Sequence, residues 1–408
     1  MNIQPINDIK KIYGLFIFML IHLISMTHIH AQYSIGKRTL NFYDASRNNR
    51  EINAEISYPA LAAGENTAPA SGQFPLIVIG HGFVMGIDAY THFVSTLTPL
   101  GYVVVLCNTE TSFSPSHDNF ARDLLYLNND IKNKSQNDVS FFLYQHLSGS
   151  STIMGHSMGG GSSVLAASLA NSNEINCIVG FAPAETNPSA VTAAGLVTVP
   201  ALIFSGEGDN VTPPPAHQIP IYNALTNSCS ILVTVKGGGH CYFAQPNVAC
   251  DFGETFSNSI ISITREEQQD VMFDILIPFL DLNLKFNAAA KQILNDSLTL
   301  SPRITYQNKN CESLSLSPYS TGKINIRILE NTKVQQQLRF VANFSKKGTM
   351  LVTIQSAEGK VVAEQRIHVQ KGEQEYSLPL PSLPSGIYIA GFYFENKADS
   401  AKFMVATP

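Results

Sequence analysis

Short apolar segments recur along the first 240 residues of the chain, with segments suited to helices between them. The apolar segments span residues 75–80, 102–107, 152–154, 177–180, 201–204 and 231–235. Near-continuous apolarity of this kind is typical of strands that are covered on both faces. Helices are predicted at 89–97, 118–131 and 161–171. The alternation predicts an α/β fold with a doubly wound, mostly parallel sheet, preceded by antiparallel strands within 33–61.

The pattern changes toward the C-terminus. Capping-box spacing at Thr264–Glu267 predicts the start of a helix that reaches at least Leu276. Beyond it, short alternating segments separated by glycine and polar turns predict a small β-sandwich. We therefore divide the chain into a leader (1–31), a main α/β domain (32–294), a polar linker (295–314) and the sandwich (315–408).

The N-terminal segment has the layout of a secretory signal peptide. Lys10 and Lys11 precede an apolar run at 12–26, and cleavage is expected after Ala31. A retained membrane anchor is the alternative, although the run is short for a span of about 20 residues. Without the leader the formal net charge moves from −5 to about −6, and no basic stripe is present, so no nucleic-acid partner is expected.

All six cysteines lie in the part predicted to be exported, where disulfides persist. Six cysteines allow fifteen pairings. We favour a bond between Cys241 and Cys250, because it closes a short loop. Buried unpaired thiols are the alternative.

The sequence GHSMG at 155–159 follows an apolar strand and precedes a helical segment. In that setting a Gly-x-Ser-x-Gly turn raises a serine hydroxyl as a nucleophile, and the flanking glycines let strand and helix approach each other. The pattern alone is weak, so its partners decide the interpretation. Ser157 is the predicted nucleophile.

A serine nucleophile needs a base and a carboxylate that orients the base. In this fold the acid and the histidine follow the serine, each on a loop after a strand. Asp209 and His240 occupy such positions. The alternatives are a solvated turn residue at Asp209, with Glu207 as the acid, and a surface or capping histidine at His240.

Acyl transfer also requires donors directed at the oxyanion. The backbone N–H groups of Phe83, after the strand at 76–79, and of Met158 are the predicted donors. Their side chains are predicted to form a wall for the acyl group. We interpret His81 as a structural hydrogen-bonding residue and His156 as a packing residue.

Residues 33–286 resemble the α/β-hydrolase superfamily, and within it secreted polyester hydrolases of the cutinase and PET-hydrolase type and their dienelactone-hydrolase, chlorophyllase and PAF-acetylhydrolase relatives. The resemblance rests on the sequences HGF at 81–83, GHSMGG at 155–160, GEGDNVTP at 206–213 and GGGH at 237–240. It implies an α/β-hydrolase fold, a Ser157–His240–Asp209 triad, and Phe83 and Met158 as oxyanion donors and substrate contacts.

One position departs from that pattern. Polyester hydrolases usually carry a tryptophan just after the Ala-Pro that follows the next strand, as a platform for an aromatic ring. Here Ala184 or Glu185 takes that place, so the resemblance implies these two as substrate contacts, and the chain has no tryptophan. The resemblance therefore implies ester hydrolysis, while activity on aromatic polyesters is left open.

The C-terminal part resembles the sorting domain of the type IX secretion system of Bacteroidota. The resemblance rests on EGK at 358–360, Gly372, LPSGIY at 383–388 and KF at 402–403, although the usual Asn-Pro at its start is missing. It implies export across both membranes and contact with the secretion machinery. A carbohydrate-binding or linker sandwich is the alternative.

The sequence thus predicts a secreted or cell-surface serine ester hydrolase that acts as a monomer on a small-molecule, lipid or polyester substrate. No cofactor and no metal are expected. The alternatives are a lipase or PAF-acetylhydrolase-like lipid esterase, a peptidase or acyltransferase with the same triad, and a non-catalytic surface binding protein.

Overall fold

The structure is a computed structural model of the chain, and it describes residues 33–311, 324, 326–329, 337–356, 361–381, 383–394 and 397–405. The chain divides into two compact units, Met1–Cys311 and Glu312–Pro408. The predicted leader at 1–31 lies outside the described residues. No helix within the described ranges combines a membrane-spanning length with sufficient apolarity.

One large sheet organises the first unit. Its described strands are β1 (Ser34–Asp44), β2 (Arg50–Ala60), β3 (Gly64–Glu65), β4 (Phe74–Gly80), β5 (Val103–Cys107), β6 (Leu147–His156), β7 (Cys177–Phe181), β8 (Ala201–Gly206), β9 (Ser230–Val235) and β10 (Ile304–Lys309). They lie in the order β10-β9-β8-β7-β6-β4-β5-β2-β1-β3. Strands β4 to β9 are parallel to one another. Strand β2 pairs antiparallel with β1 and β5, β10 pairs antiparallel with β9, and the short β3 pairs parallel with β1. The predicted α/β-hydrolase sheet is confirmed.

The central strands are apolar because both faces of the sheet are covered. Every residue of β4, β5, β7 and β8 is buried. Strands in that position read as continuous runs of Val, Ile and Leu without alternation. The same burial explains why the sequence predicts them well.

Helices connect the strands and cover the faces of the sheet. The described helices are α1 (Thr91–Leu97), α2 (His117–Asn137), α3 (Met158–Leu169), α4 (Ala190–Ala194), α5 (Gln218–Ala224), α6 (Val248–Phe256), α7 (Arg265–Leu284) and α8 (Ala290–Thr299). The predicted capping box opens α7: the hydroxyl of Thr264 accepts a hydrogen bond from the N–H of Glu267 at 3.1 Å, and the Glu267 carboxylate accepts from the N–H of Thr264 at 2.8 Å.

The prediction of a linker over 295–314 is wrong for its described part, 295–311. The segment continues α8 and then forms β10, which pairs with β9 from Ile304↔Val235 to Lys309↔Ser230. Cys311 then forms a disulfide with Cys229. Strand β10 lies at the edge of the sheet and buries only Ile304, so its composition is polar and lacks the signal of a buried strand.

The second unit consists of antiparallel strands in two sheets. Its described strands are β11 (Arg327–Ile328), β12 (Gln337–Phe344), β13 (Gly348–Ser356), β14 (Val361–Val369), β15 (Gly372–Pro379), β16 (Gly386–Phe394) and β17 (Lys397–Val405). The sheets have the orders β11-β12-β15 and β14-β13-β16-β17. Phe340 of one sheet packs on Phe392 of the other with ring centroids 4.8 Å apart, in a shared buried core. The predicted β-sandwich is confirmed.

We expect the disulfide between Cys229 and Cys311 to stabilise the first unit strongly. It joins residues 82 positions apart, and the chain-entropy model gives about 4.5 kcal/mol for a loop of that size. Urea unfolding of the Cys229→Ser/Cys311→Ser variant beside the wild type measures the loss. A difference below about 1 kcal/mol would show that pairing with β9 holds β10 without the bond.

Candidate active site

The predicted catalytic and substrate-contacting residues all lie at the carboxyl edge of the parallel strands. They are Phe83 after β4, Ser157 and Met158 after β6, Ala184 and Glu185 after β7, Asp209 after β8, and His240 after β9. In open α/β sheets, ligands bind outside this edge. The fold therefore places these separate sequence motifs on neighbouring loops.

Ser157 lies on a strained turn between β6 and α3. Its backbone has φ 53° and ψ −116°, a region that residues with a side chain rarely adopt. Such strain costs of order 1–3 kcal/mol and persists where the surroundings hold it in place. Here the N–H of Ser157 donates to the carbonyl of Phe181, and the carbonyl of Ser157 accepts from the N–H of Ala184, both at 2.9 Å.

The glycines on either side of Ser157 permit a very close approach of helix and strands. A Cβ atom on Gly155 would lie 2.2 Å from the carbonyl oxygen of Gly159, and one on Gly159 would lie 2.2 Å from the carbonyl oxygen of Gly80. Any side chain at either position would separate α3 from β4 and β6. The two glycines are thus required by packing around the serine.

Asp209 and His240 form a buried pair. Nδ1 of His240 lies 2.9 Å from Oδ2 of Asp209, and the two side chains are 2% and 0% exposed. Oδ1 of Asp209 also accepts hydrogen bonds from the N–H groups of Val211 at 2.9 Å and Thr212 at 2.8 Å. The carboxylate is held as an acceptor for Nδ1–H, which leaves Nε2 as the nitrogen able to take up a proton.

Glu207, the alternative acid, lies elsewhere. Its carboxylate accepts a hydrogen bond from the N–H of Gly237 at 2.8 Å, and its side chain is exposed. The imidazole of His240 therefore meets Asp209 and not Glu207.

Thr212 supports the pair, a role that sequence reasoning missed. Its hydroxyl lies 3.0 Å from Oδ2 of Asp209 and 2.9 Å from Nδ1 of His240. Because Nδ1–H already donates to the aspartate, the hydroxyl donates to the carboxylate and itself accepts from Nε2–H₂ of Gln218 at 3.1 Å. Thr212 lies within the sequence motif at 206–213, but nothing in that motif indicates the contact with the Asp209–His240 pair.

A chain of hydrogen bonds connects three of the loops through buried side chains. The N–H of Gly82 donates to the hydroxyl of Tyr90 at 2.7 Å, and that hydroxyl lies 2.9 Å from Nδ1 of His156. Nε2 of His156 lies 3.1 Å from the carbonyl oxygen of His240. Since a carbonyl only accepts, His156 carries its proton on Nε2 and accepts from Tyr90 on Nδ1. The residue before the serine thus holds the backbone of the histidine loop.

Burial keeps His156 neutral. Its pKa is well below the ordinary histidine value, first because of desolvation and then because of the neighbouring His240. The two rings lie with centroids 4.7 Å apart. His156 therefore has a structural role beside the site, and it places the imidazole of His240 next to the turn that carries Ser157.

His81 also has a structural environment. Its ring nitrogens lie 2.8 Å from the carbonyl oxygen of Gly82 and 2.7 Å from that of Thr109, and burial lowers its pKa. These contacts connect the loop after β4 to the loop after β5.

The two predicted oxyanion donors differ in exposure. Met158 is 3% exposed. Because it is the first residue of α3, its N–H is one of the four that have no partner within the helix. The side chain of Phe83 is 49% exposed and meets the ring of Phe113 edge-on at 6.4 Å. An apolar surface thus adjoins the loop after β4.

The predicted substrate contacts Ala184 and Glu185 lie against the serine turn. Besides the bond from Ala184 to Ser157, the N–H of Glu185 donates to Nδ1 of His217 at 2.9 Å. His217 is half-buried, and desolvation lowers its pKa. It is a further histidine beside the site, and nothing in its sequence context distinguished it.

Helix α6 supports the loop of His240 from the other side. The buried carboxylate of Glu254 accepts hydrogen bonds from the N–H of His240 at 2.9 Å and from the N–H of Cys241 at 2.5 Å. A disulfide joins Cys241 to Cys250 of the same helix. Sequence reasoning missed Glu254, because a glutamate in a short helix normally faces solvent.

One group of metal-ligating side chains is present in the described part of the chain. Ligand atoms of His156, His240 and Cys250 lie within 4.8 Å of one another. The sulfur of Cys250 is bonded to Cys241, however, and both nitrogens of His156 have hydrogen-bond partners. Since sulfur ligates metals as a thiolate, the group does not form a metal site while the disulfide is intact.

Comparison with known families assigns both parts of the chain. Residues 47–262 match the family described as PET hydrolase-like, a span that covers more than half of the 408 residues. Residues 320–406 match the secretion system C-terminal sorting domain. Comparison with curated proteins gives no match.

These matches confirm the two resemblances and fix the location of the protein. The sorting domain marks a protein that is secreted or displayed at the cell surface. The first match includes the five loops that carry the predicted site residues. The protein is therefore a secreted ester hydrolase that belongs to the PET hydrolase-like family.

Proposed function

We propose that the protein is a serine carboxylesterase that forms an acyl-enzyme on Ser157. The observation that carries the proposal is the buried pair of His240 and Asp209, with 2.9 Å between Nδ1 and Oδ2, beside the strained turn of Ser157. A serine hydroxyl is a poor nucleophile alone and becomes effective when an oriented base takes its proton. These three side chains supply the nucleophile, the base and the orienting acid.

In the acylation step, Oγ of Ser157 attacks the ester carbonyl carbon while Nε2 of His240 takes the hydroxyl proton. The carbonyl oxygen becomes an oxyanion, which the N–H groups of Phe83 and Met158 stabilise. The carbon–oxygen bond to the alcohol then breaks, and His240 returns its proton to the leaving alkoxide. The products are the free alcohol and an acyl ester on Ser157.

Deacylation repeats these steps with water. His240 takes a proton from water as the oxygen attacks the acyl carbon, and the bond to Oγ breaks as the proton passes back to Ser157. Asp209 stabilises the imidazolium by its hydrogen bond to Nδ1. Its two bonds from Val211 and Thr212 keep the carboxylate from turning away.

The side chains near the serine are compatible with an uncharged ester. Phe83 presents apolar surface, and Met158 is a buried apolar residue directly after Ser157. Ala184 or Glu185 stands where the polyester hydrolases that the chain resembles usually carry a tryptophan. We propose these residues, with Glu185, as the contacts of the acyl and alcohol groups.

We expect Ser157→Ala to lose at least about 10³-fold in kcat/KM on p-nitrophenyl butyrate, because only the oxyanion donors and substrate binding would remain. His240→Ala should lose a similar factor, and Asp209→Asn somewhat less. Circular dichroism and thermal unfolding establish that each variant is folded. One tenth of wild-type turnover in folded Ser157→Ala would remove Ser157 as the nucleophile.

A substrate panel separates this activity from the alternatives. p-Nitrophenyl esters of rising chain length are assayed beside aminoacyl anilides. We expect ester turnover that is abolished by Ser157→Ala. Faster anilide turnover would indicate a peptidase, and no turnover of either class would indicate a binding protein.

We also expect Glu254 to act as a positioning residue for His240. In Glu254→Gln the amide keeps one acceptor and presents an N–H₂ group where an acceptor is needed, so the backbone of His240 shifts. A misplacement of about 1 Å costs about 10²-fold in rate. We expect kcat to fall by 10- to 100-fold with KM within twofold.

The matched control is Glu266→Gln, a change of the same type at an exposed position of α7. Both variants are assayed well below their melting temperatures, where a purely structural role of Glu254 would leave kcat unchanged. Equal kcat in the two variants would contradict the positioning role.

The Cys241–Cys250 disulfide should contribute to the same positioning. It closes a loop of about ten residues, and the chain-entropy model gives about 2 to 3 kcal/mol for this size. We expect Cys241→Ser/Cys250→Ser to lower both the melting temperature and kcat. A variant with lower stability and unchanged kcat would show that hydrogen bonds alone position His240.

A further inference from the structure

The segment 248–260 exposes large apolar side chains on α6 and just beyond it. Val248 is 89%, Phe252 68%, Phe256 79% and Ile260 77% exposed. The first three are spaced four residues apart and so share one face of the helix. The rings of Phe252 and Phe256 stack with centroids 5.9 Å apart. We call these four residues the α6 patch.

Helix α6 has the reverse of the usual orientation for a surface helix. Among its nine residues, Glu254 is the buried one, and the apolar residues face outward. Surface helices normally direct their apolar stripe to the core and their charges to solvent. Contiguous exposed apolar surface of this kind marks an interaction site.

The patch carries no free charge. Besides its own members, the exposed residues of α6 are Ala249 and Thr255. The carboxylate of Asp251 is paired with Nη2 of Arg265 at 2.7 Å, and the same guanidinium donates to the carbonyl of Ala244 at 2.6 Å. The surface is therefore complementary to an uncharged partner.

The patch is also connected to the loops that carry Asp209 and His240. From the inner side of α6, Glu254 holds the N–H of His240. The N–H of Ile260 donates to the carbonyl of Gly208 at 3.1 Å, and the N–H of Asn210 donates to the hydroxyl of Ser259 at 3.1 Å. The patch is thus the outer surface of the segment that supports both loops.

We propose that the α6 patch docks on the uncharged surface of a solid polyester and holds the enzyme there while successive ester bonds reach Ser157. This inference rests on the proposed function, since it names the physical form of the ester substrate. A polyester surface is apolar and neutral, as the patch is. An anionic lipid surface attracts clustered lysine and arginine, whereas this protein has a net charge of −5 and uses Arg265 in internal contacts.

The test measures adsorption of the Phe252→Ser/Phe256→Ser variant to polycaprolactone particles. Adsorption is read as the loss of protein from solution. It is carried out in the Ser157→Ala background, so that binding is measured without hydrolysis. Removing two large aromatic contacts is expected to weaken adsorption at least about tenfold. With Ser157 intact, particle hydrolysis should fall by a similar factor, while kcat/KM on soluble p-nitrophenyl acetate stays within twofold.

The matched control is Val139→Ser/Leu169→Ser. These side chains are 78% and 42% exposed, and they follow α2 and end α3, at the opposite edge of the parallel sheet. The control should adsorb and hydrolyse particles as the wild type does. Equal adsorption of the α6 variant and the control would overturn the proposal.

Two further measurements would show that the α6 patch binds a different partner. Loss of binding to a tributyrin emulsion with unchanged polyester binding would assign the patch to neutral lipid and overturn the proposal. A wild-type dimer that becomes a monomer in Phe252→Ser/Phe256→Ser, by light scattering, would assign it to a second copy of the chain. Failure of the proposed function is distinct, because it appears as absent ester turnover in the wild type.

Discussion

The close contact of α3 with β4 and β6 is the constraint on which the arrangement around Ser157 depends. Gly155 and Gly159 leave no room for a Cβ atom, so the first turn of α3 lies directly on the strand ends. This contact forces the serine into its strained backbone conformation and places the N–H of Met158 at a helix terminus. It also brings His156, the last residue of β6, next to the loop of His240. The buried imidazole of His156 contacts the carbonyl of His240 and the hydroxyl of Tyr90, and it thereby connects β6 and the histidine loop to the loop after β4.

Helix α6 is held by polar and covalent contacts on one side and is open to an apolar partner on the other. The carboxylate of Glu254, the disulfide of Cys250 and the ion pair of Asp251 with Arg265 attach it to the histidine loop and to α7. Apolar burial contributes little, because its large side chains face outward. A helix attached in this way is able to present Phe252 and Phe256 to a surface without giving up the contacts that hold His240.

Sequence reasoning predicted the elements whose signal comes from burial and packing. The parallel strands appear as continuous apolar runs, and Ser157 is marked by glycines that the helix contact requires. It failed where a residue's role depends on a partner distant in the chain. Strand β10 reads as a linker, because one face of an edge strand is solvated and its pairing with β9 leaves no pattern in its own residues. Glu254 and Thr212 likewise look like ordinary surface residues until the loops of Asp209 and His240 are brought against them.

The six cysteines fall into two groups, two buried free thiols and four that form disulfides. Cys107 and Cys177 lie inside buried strands, where desolvation raises the pKa of each thiol to about 12 and leaves little reactive thiolate. The four bonded cysteines secure two segments that bury little apolar surface, β10 through Cys311 and α6 through Cys250. In a secreted protein such bonds persist and replace core packing as the source of stability at those places. Covalent attachment thereby allows the edge strand to remain polar and allows α6 to keep its apolar residues on the outside.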